Sequence, residues 1–179
     1  MNTLLTLRDS DVYPNEIVPS ILEWKDRRTG KVVLMDENKN IALVGNKVNE
    51  FFLLPGGGID DHEDAKEGAS RECLEETGCR ITITHELGIT DDYRTRDSRH
   101  SINYGFLGGV VSREDSHLTD SEKDVGLYIK WIGIDEALRI FSSQERDLQE
   151  NKVHFYNTGF NILWDKFFLE RASELLKAF

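Results

Sequence analysis

The sequence predicts an α/β domain in which a mixed β-sheet is interleaved with few helices. Three observations support that expectation: short β-branched or aliphatic runs separated by turn-forming residues, a helical pattern directly after three glycines, and an amphipathic stretch near the C-terminus. At 179 residues the chain suits one domain, residues 1–179, with one hydrophobic core. Hydrophobic residues make up 39% and charged residues 31%, too apolar a balance for a disordered chain.

Lys31 to Met35 and Ile41 to Val44 read as a hairpin around the turn-rich Asp36 to Asn40. Phe51 to Leu54 is a further strand, stopped by Pro55 and Gly56 to Gly58. From about Asp64 to Thr77 the pattern turns helical. Ala65, Ala69 and Cys73 recur every fourth residue as a narrow face that permits close approach to a sheet, and Gly78 marks the stop. Ile81 to Ile89 and Ser101 to Val111 read as strands joined by a polar loop, with Leu127 to Ile132 a later strand. Asp135 to Phe141 is a short helix with Asp135 as its cap, and Ser142 to Lys152 is a loop or a frayed helix end. Residues about 155 to 177 form an amphipathic C-terminal helix with Phe160, Leu163, Trp164 and Phe167 on one side. That face is expected to cover the sheet, with a homodimer contact as the other way to bury it. Residues about 1 to 20 are an N-terminal arm.

Charge and composition narrow the function. The net charge of -11 repels polyanions, so extended nucleic-acid binding is not expected, and a small anionic substrate would need local positive charge. No apolar run reaches the length of a membrane span. Met1 to Leu7 lack the basic and apolar regions of a signal peptide, so a cytoplasmic location is expected. Two cysteines, Cys73 and Cys79, are too few for a disulfide framework or a zinc site and read as buried thiols.

The chemistry concentrates in Leu54 to Cys79, LPGGGIDDHEDAKEGASRECLEETGC. Glu72, Glu75 and Glu76 stand at i, i+3 and i+4 and project from one helical turn. On the helix alone a solvated acidic face explains them as well, because exposed like-charge pairs cost only about 0.2–0.5 kcal/mol each. The glycines ahead of the helix shift that balance. Their backbone oxygens, next to three carboxylates, make an oxygen-rich pocket of the kind hard cations such as Mg²⁺ favour.

This stretch resembles the Nudix box: Gly, five residues, Glu, seven residues, Arg-Glu, an aliphatic, any residue, Glu-Glu, any residue, Gly, an aliphatic. Gly57, Glu63, Arg71, Glu72, Glu75, Glu76 and Gly78 fill its fixed positions, a match that chance produces on the order of once in 10⁸ start positions. Cys73 and Cys79 depart from the two aliphatic positions, which bears on packing and leaves the carboxylates intact. A looser resemblance runs from about residue 25 to 141.

The resemblance implies a Nudix-type α/β/α sandwich, and a Mg²⁺-dependent hydrolase, with Mn²⁺ as a substitute, that cleaves the diphosphate linkage of a small nucleotide-like substrate, a nucleoside diphosphate linked to another moiety. It implies that Glu72, Glu75, Glu76 and the Gly57 carbonyl bind the metal, and that Arg71 orients the glutamates as an ion-pair partner. Glu63 has a structural role as an equally good reading. Many relatives add a catalytic carboxylate outside the box, for which Glu122 is the candidate. Two basic clusters, Arg27, Arg28 and Lys31, and Arg94, Arg96 and Arg99, are candidates for contact with phosphates; Arg28, Arg94 and Arg96 are taken as the substrate-binding residues. The other readings are a nucleotide-sensing Nudix domain without turnover, and an isoprenoid diphosphate isomerase.

Overall fold

Two long strands, β5 (Cys79–Arg94) and β6 (Arg99–Arg113), run antiparallel on either side of a single 3-10 turn at Thr95–Asp97. In the computed structural model, residues 3–14, 20, 23–48, 51–115 and 123–178 are described. The other described strands are β1 (Thr3–Arg8), β2 (Lys25–Met35), β3 (Asn40–Gly45), β4 (Phe52–Leu53) and β7 (Tyr128–Gly133). They form one mixed sheet in the order β1-β5-β6-β2-β3-β4, with β7 paired to β3. The β1–β5 and β6–β2 pairs are parallel, and the remaining pairs are antiparallel.

Four α-helices lie wholly within the described residues: α1 (Asp9–Val12), α2 (Ala65–Thr77), α3 (Ile134–Gln149) and α4 (Tyr156–Lys177). Strand alternation gives the sheet two apolar faces. Val32, Leu34, Ala42 and Phe106 meet Ala69 and Cys73 of α2 on one. Val33, Ile41, Leu43 and Leu107 meet Phe141 of α3 and Phe160, Phe168 and Leu169 of α4 on the other. The result is the α/β/α sandwich, with the C-terminal helix as part of one layer. Each of these large side chains, once fully buried, contributes about 1.5–3 kcal/mol.

The expected small-residue face of α2 does allow close approach. At Gly30 of β2 an added Cβ would come within 2.8 Å of the Ala69 Cβ, so helix and sheet are in contact there. Cys73 and Cys79 are free and buried.

Five expectations change. The polar loop between Ile89 and Ser101 is mostly strand, because Thr90, Asp92 and Arg94 alternate inward on β5 and are buried. Ser142 to Gln149 continues α3: Phe141, Gln144 and Leu148 are buried at helical spacing, and Gln144 hydrogen-bonds both backbone groups of Phe52. The cap of that helix is Gly133, with Asp135 inside the first turn. The hairpin partners share only Met35↔Ile41; β2 pairs along its length with β6, and β3 with β7. The N-terminal arm contributes β1, which lies parallel to β5 at the sheet edge.

Candidate functional site

Helix α2 starts and stops on local signals. Asp64 accepts from the Lys66 and Glu67 amides and Glu67 reaches back to the Asp64 amide, a reciprocal cap. Gly78, at φ 67, closes the helix in the left-handed region with its amide on Leu74.

The glycine bend ahead of the helix is laid along β2. Gly30 donates to the Gly57 carbonyl at 3.0 Å, Val32 to Pro55 at 3.0 Å, and Ile59 to Arg28 at 3.1 Å. The bend thus satisfies the strand edge that β3 leaves unpaired. Gly56 needs its missing side chain, since its φ is +126 and a Cβ would run into the Gly30 carbonyl.

Two of the three helix carboxylates face this bend. The Glu72 carboxyl group is seated on Gly57, where an added Cβ would lie 2.6 Å from its Cδ. Glu76 accepts the Gly56 amide at 2.7 Å. Glu75 is turned toward Arg71, whose Nη1 donates to it at 3.3 and 3.4 Å, and its side chain is 38% exposed. Arg71 organises the group: it forks onto both oxygens of Glu63 at 2.8 and 3.0 Å, reaches Glu72 at 2.9 Å, and donates to the Gly58 carbonyl at 2.8 Å. Those bonds hold the Glu63 carboxyl down at about 2. Burial pushes the Glu72 carboxyl up, opposed by Arg71.

Among the described residues no three His, Cys, Asp or Glu side chains meet as a ready-made metal cage. The donors nevertheless fit a hard divalent cation of the kind that uses one or two carboxylates and completes its shell with water and substrate oxygens. Glu72 and Glu76 offer hard oxygens beside the bend, and the Gly57 carbonyl has one lone pair engaged by Gly30 and one left.

On the other side of the bend lies a cleft of about 250 Å³ that Gly56 and Gly57 help to line, walled by Arg27, Lys31, Arg94 and Arg99. Lys31 is buried and donates to the carbonyls of Leu54 at 2.8 Å and Gly56 at 2.6 Å. Arg94 is fixed by Asp92, by Asn157 at 3.0 Å and by Asn161 at 2.8 Å. Asp165 of α4, fully buried, accepts the Leu54 amide at 2.8 Å, and burial pushes its carboxyl up to about 6.

The expected site residues separate accordingly. Gly57, Arg71, Glu72, Glu75 and Glu76 are brought together around the bend, and Glu63 joins them through Arg71. Arg94 reaches the cleft. Arg28 does not line it: its guanidinium donates to the Glu63 carbonyl at 3.1 Å and braces the loop. Arg96 is exposed over the Tyr156 ring, 4.6 Å from its centroid, and lines a different depression. Glu122 lies outside the described residues. Sequence reasoning missed Asn157, Asn161 and Asp165, which α4 delivers across long sequence separations. One signal for the cleft itself was present: polar residues at alternate positions, Thr90, Asp92 and Arg94, then Arg99, Ser101 and Asn103, inside segments that otherwise read as strand.

A NUDIX domain profile matches residues 25–156. A Bacillus subtilis (strain 168) protein provisionally named an 8-oxo-dGTP diphosphatase is 30% identical over 146 residues, covering 82% of this chain and 92% of that protein. A Streptomyces rubellomurinus protein named as a CMP-5'-(N-acetyl-N-hydroxy-3-aminopropyl)phosphonate hydrolase is 30% identical over 125 residues, 63% of this chain and 54% of its own length. Among solved structures, a NUDIX hydrolase from Nitrosomonas europaea superposes with a TM-score of 0.56 at 21% identity, over 79% of this chain and 88% of that one. The MutT protein from Methanosarcina mazei Go1 gives 0.51 at 19% identity, over 74% and 99%. The sequence match over most of the chain, the shared sandwich and the carboxylates gathered at the glycine bend agree: the chain belongs to the Nudix hydrolase family.

Proposed function

We propose that the protein is a Mg²⁺-dependent hydrolase that cleaves the diphosphate linkage of a small nucleotide-like substrate. The observation that carries this reading is the seating of Glu72 and Glu76 on Gly57 and Gly56, on the far side of which the bend lines a cationic cleft. An anionic diphosphate lying across the bend has carboxylate oxygen on one side and positive charge on the other. The names of the Bacillus subtilis and Streptomyces rubellomurinus relatives, each a nucleotide-directed hydrolase, point the same way.

Glu72 and Glu76, with the Gly57 carbonyl, would hold the ion, and Glu75 is the member of the trio left to act on water. When bound, Mg²⁺ supplies neutralisation of the phosphates and a lowered pKa for water. The chain does the rest. Arg71 fixes the directions of Glu72 and Glu75 through its planar fork. Glu75, half exposed and held only by long bonds to Arg71, is the carboxylate free to take the proton of the attacking water. The water oxygen bonds to phosphorus, the bridging P–O bond breaks, and the bridging oxygen leaves with the electron pair on the departing phosphate.

The test is a panel of 8-oxo-dGTP, ADP-ribose and UDP-glucose with Mg²⁺, assayed for phosphate-containing products. Turnover is expected, and Glu75→Gln or Glu76→Gln should lower kcat by at least about 10²-fold, the scale of a general base or a metal ligand, with an unchanged melting temperature. Binding of these nucleotides without turnover, or near wild-type kcat in both variants, would reject the reading.

A further inference from the structure

The sheet face under α4 changes character along its length. Near the middle it is apolar core, with Val33 and Leu107 packed on Phe168. Toward the cleft it becomes polar in successive rows fixed by the strand register: Thr29, Asn103 and Thr90; then Arg27, Ser101 and Asp92; then Lys25, Arg99 and Arg94. Thr29, Thr90, Asp92, Arg94, Ser101 and Asn103 are all buried. Burying this many polar groups costs stability unless they are satisfied, and some are not: the buried Arg99 Nε and Asn103 Oδ1 have no hydrogen-bond partner among the described residues.

The cleft these rows open into is suited to charge and unsuited to a base. Arg27, Lys31, Arg94 and Arg99 line it, and among the described residues no carboxylate does. Asp92 matches the charge of Arg94 from beneath, and Arg99 is engaged by Asp97 at 3.2 Å and by the Asn157 Oδ1, but the Arg27 guanidinium makes no hydrogen bond or ion pair among the described residues. Burial and the facing Arg94 guanidinium lower the Arg99 pKa, the mark of a cation crowded by its neighbours. Among the described residues the cleft's one lining aromatic, Trp164, is 3% exposed and already carries the Arg94 guanidinium over its ring. It therefore leaves no open face on which a purine or pyrimidine could stack. At about 250 Å³ the cleft is below the roughly 300–1,000 Å³ that encloses a whole drug-sized ligand, so it receives part of a substrate.

Resting on the hydrolase reading above, we propose that this cleft receives a phosphorylated, non-aromatic group attached to the scissile diphosphate, with Arg27 and Arg99 gripping its phosphate monoester. The preferred substrate class is then a sugar-like diphosphate carrying a separate phosphate, and the base of an ordinary nucleotide is not read here. Arg94 serves as a positioning residue, tied to Asn157 and Asn161 so that α4 stays docked over the cleft.

The experiment compares 5-phosphoribosyl 1-diphosphate with ADP-ribose and 8-oxo-dGTP as substrates for the full chain with Mg²⁺, in wild type, Arg27→Gln and Arg99→Gln. The expected result is a kcat/KM at least tenfold higher for the phosphoribosyl compound. Each variant should reduce that preference by about tenfold, mainly through KM, the size of one lost charge-assisted bond. Inorganic phosphate should inhibit the wild type competitively and the variants more weakly. Arg27 is exposed, so its variant should melt as the wild type does. Preference for either base-bearing substrate, or an equal loss on all three substrates in both variants, overturns the inference and leaves the hydrolase reading standing. Hydrolysis of none of the three overturns both.

Discussion

Three consecutive glycines at the bend should respond to alanine in three different ways, because each lacks a side chain for a different reason. At Gly57 an added Cβ would stand 2.6 Å from the Glu72 Cδ. Ordinary contact begins near 3.4 Å, so the carboxyl group must retreat by roughly 1 Å, and a misplacement of that size at a reacting centre costs about 10²-fold in rate. What moves is the end of a flexible side chain, so the stability cost is only that of an off-rotamer, about 0.5–1.5 kcal/mol. At Gly56 the obstacle is backbone: the Gly30 carbonyl, the Lys31 Cα at 3.0 Å, and a φ of +126. Neither neighbour can yield without parting the bend from β2. Strain of about 1–3 kcal/mol plus about 1 kcal/mol for each of the two flanking bonds, Val32 to Pro55 and Gly30 to Gly57, sums to roughly 3–5 kcal/mol. At Gly58 the nearest atom is the Arg27 Nη2 at 3.6 Å, an ordinary contact, and alanine should stay within about 0.5 kcal/mol of wild type. Thermal melts and kcat/KM on the best substrate of the panel separate the three: Gly56→Ala loses stability, Gly57→Ala loses activity with a nearly native melt, and Gly58→Ala loses neither. A Gly57→Ala protein within threefold of wild-type activity, or one melting as low as Gly56→Ala, would refute the seating of Glu72 on the bend.

Other perturbations test the supports of the site. Arg71→Lys keeps the charge but gives up the fork onto Glu63 and the bond to the Gly58 carbonyl. It should lower kcat/KM by about 10–100-fold at little cost in melting temperature, and full activity would show that charge alone suffices. Asp165 ordinarily titrates near 3.8 and is raised by burial to about 6. Its ionisation therefore opposes folding, a cost present above pH 6 and relieved below about pH 4. Asp165→Asn should be more stable than wild type at pH 8 by up to about 3 kcal/mol, with the gain vanishing by pH 4; a difference independent of pH would contradict this. Gly105→Ala would drive a Cβ into the Phe168 ring, 2.6 Å from its Cγ, and should unseat α4. Loss of several kcal/mol in a denaturant titration is expected, and a neutral result would mean that the helix is not docked there.

The box and its helix were legible because every signal in them is local. The cap at Asp64, the stop at Gly78, the small face of Ala69 and Cys73, and the one-turn clustering of Glu72, Glu75 and Glu76 all depend on residues within a few positions of one another. The strands and the burial of the C-terminal helix followed from periodicity in the same way. What periodicity misjudged was length. Arg94 and Gln144 look like loop residues until Asp92, Asn161 and the Phe52 backbone are there to satisfy them.

The sequence by itself determined the fold class, the family resemblance and which carboxylates stand on one turn, since a helix fixes the relation of residues three and four apart. Only the tertiary structure decided that Glu72 and Glu76 meet the bend while Glu75 turns to Arg71, and that Arg27 and Arg99 line the cleft while Arg28 and Arg96 do not. Side-chain spacing tells which face of an element is polar. Which element covers that face, and what it brings with it, is set by packing between segments far apart in the chain, as when α4 lays Asn157, Asn161 and Asp165 over strands more than sixty residues earlier.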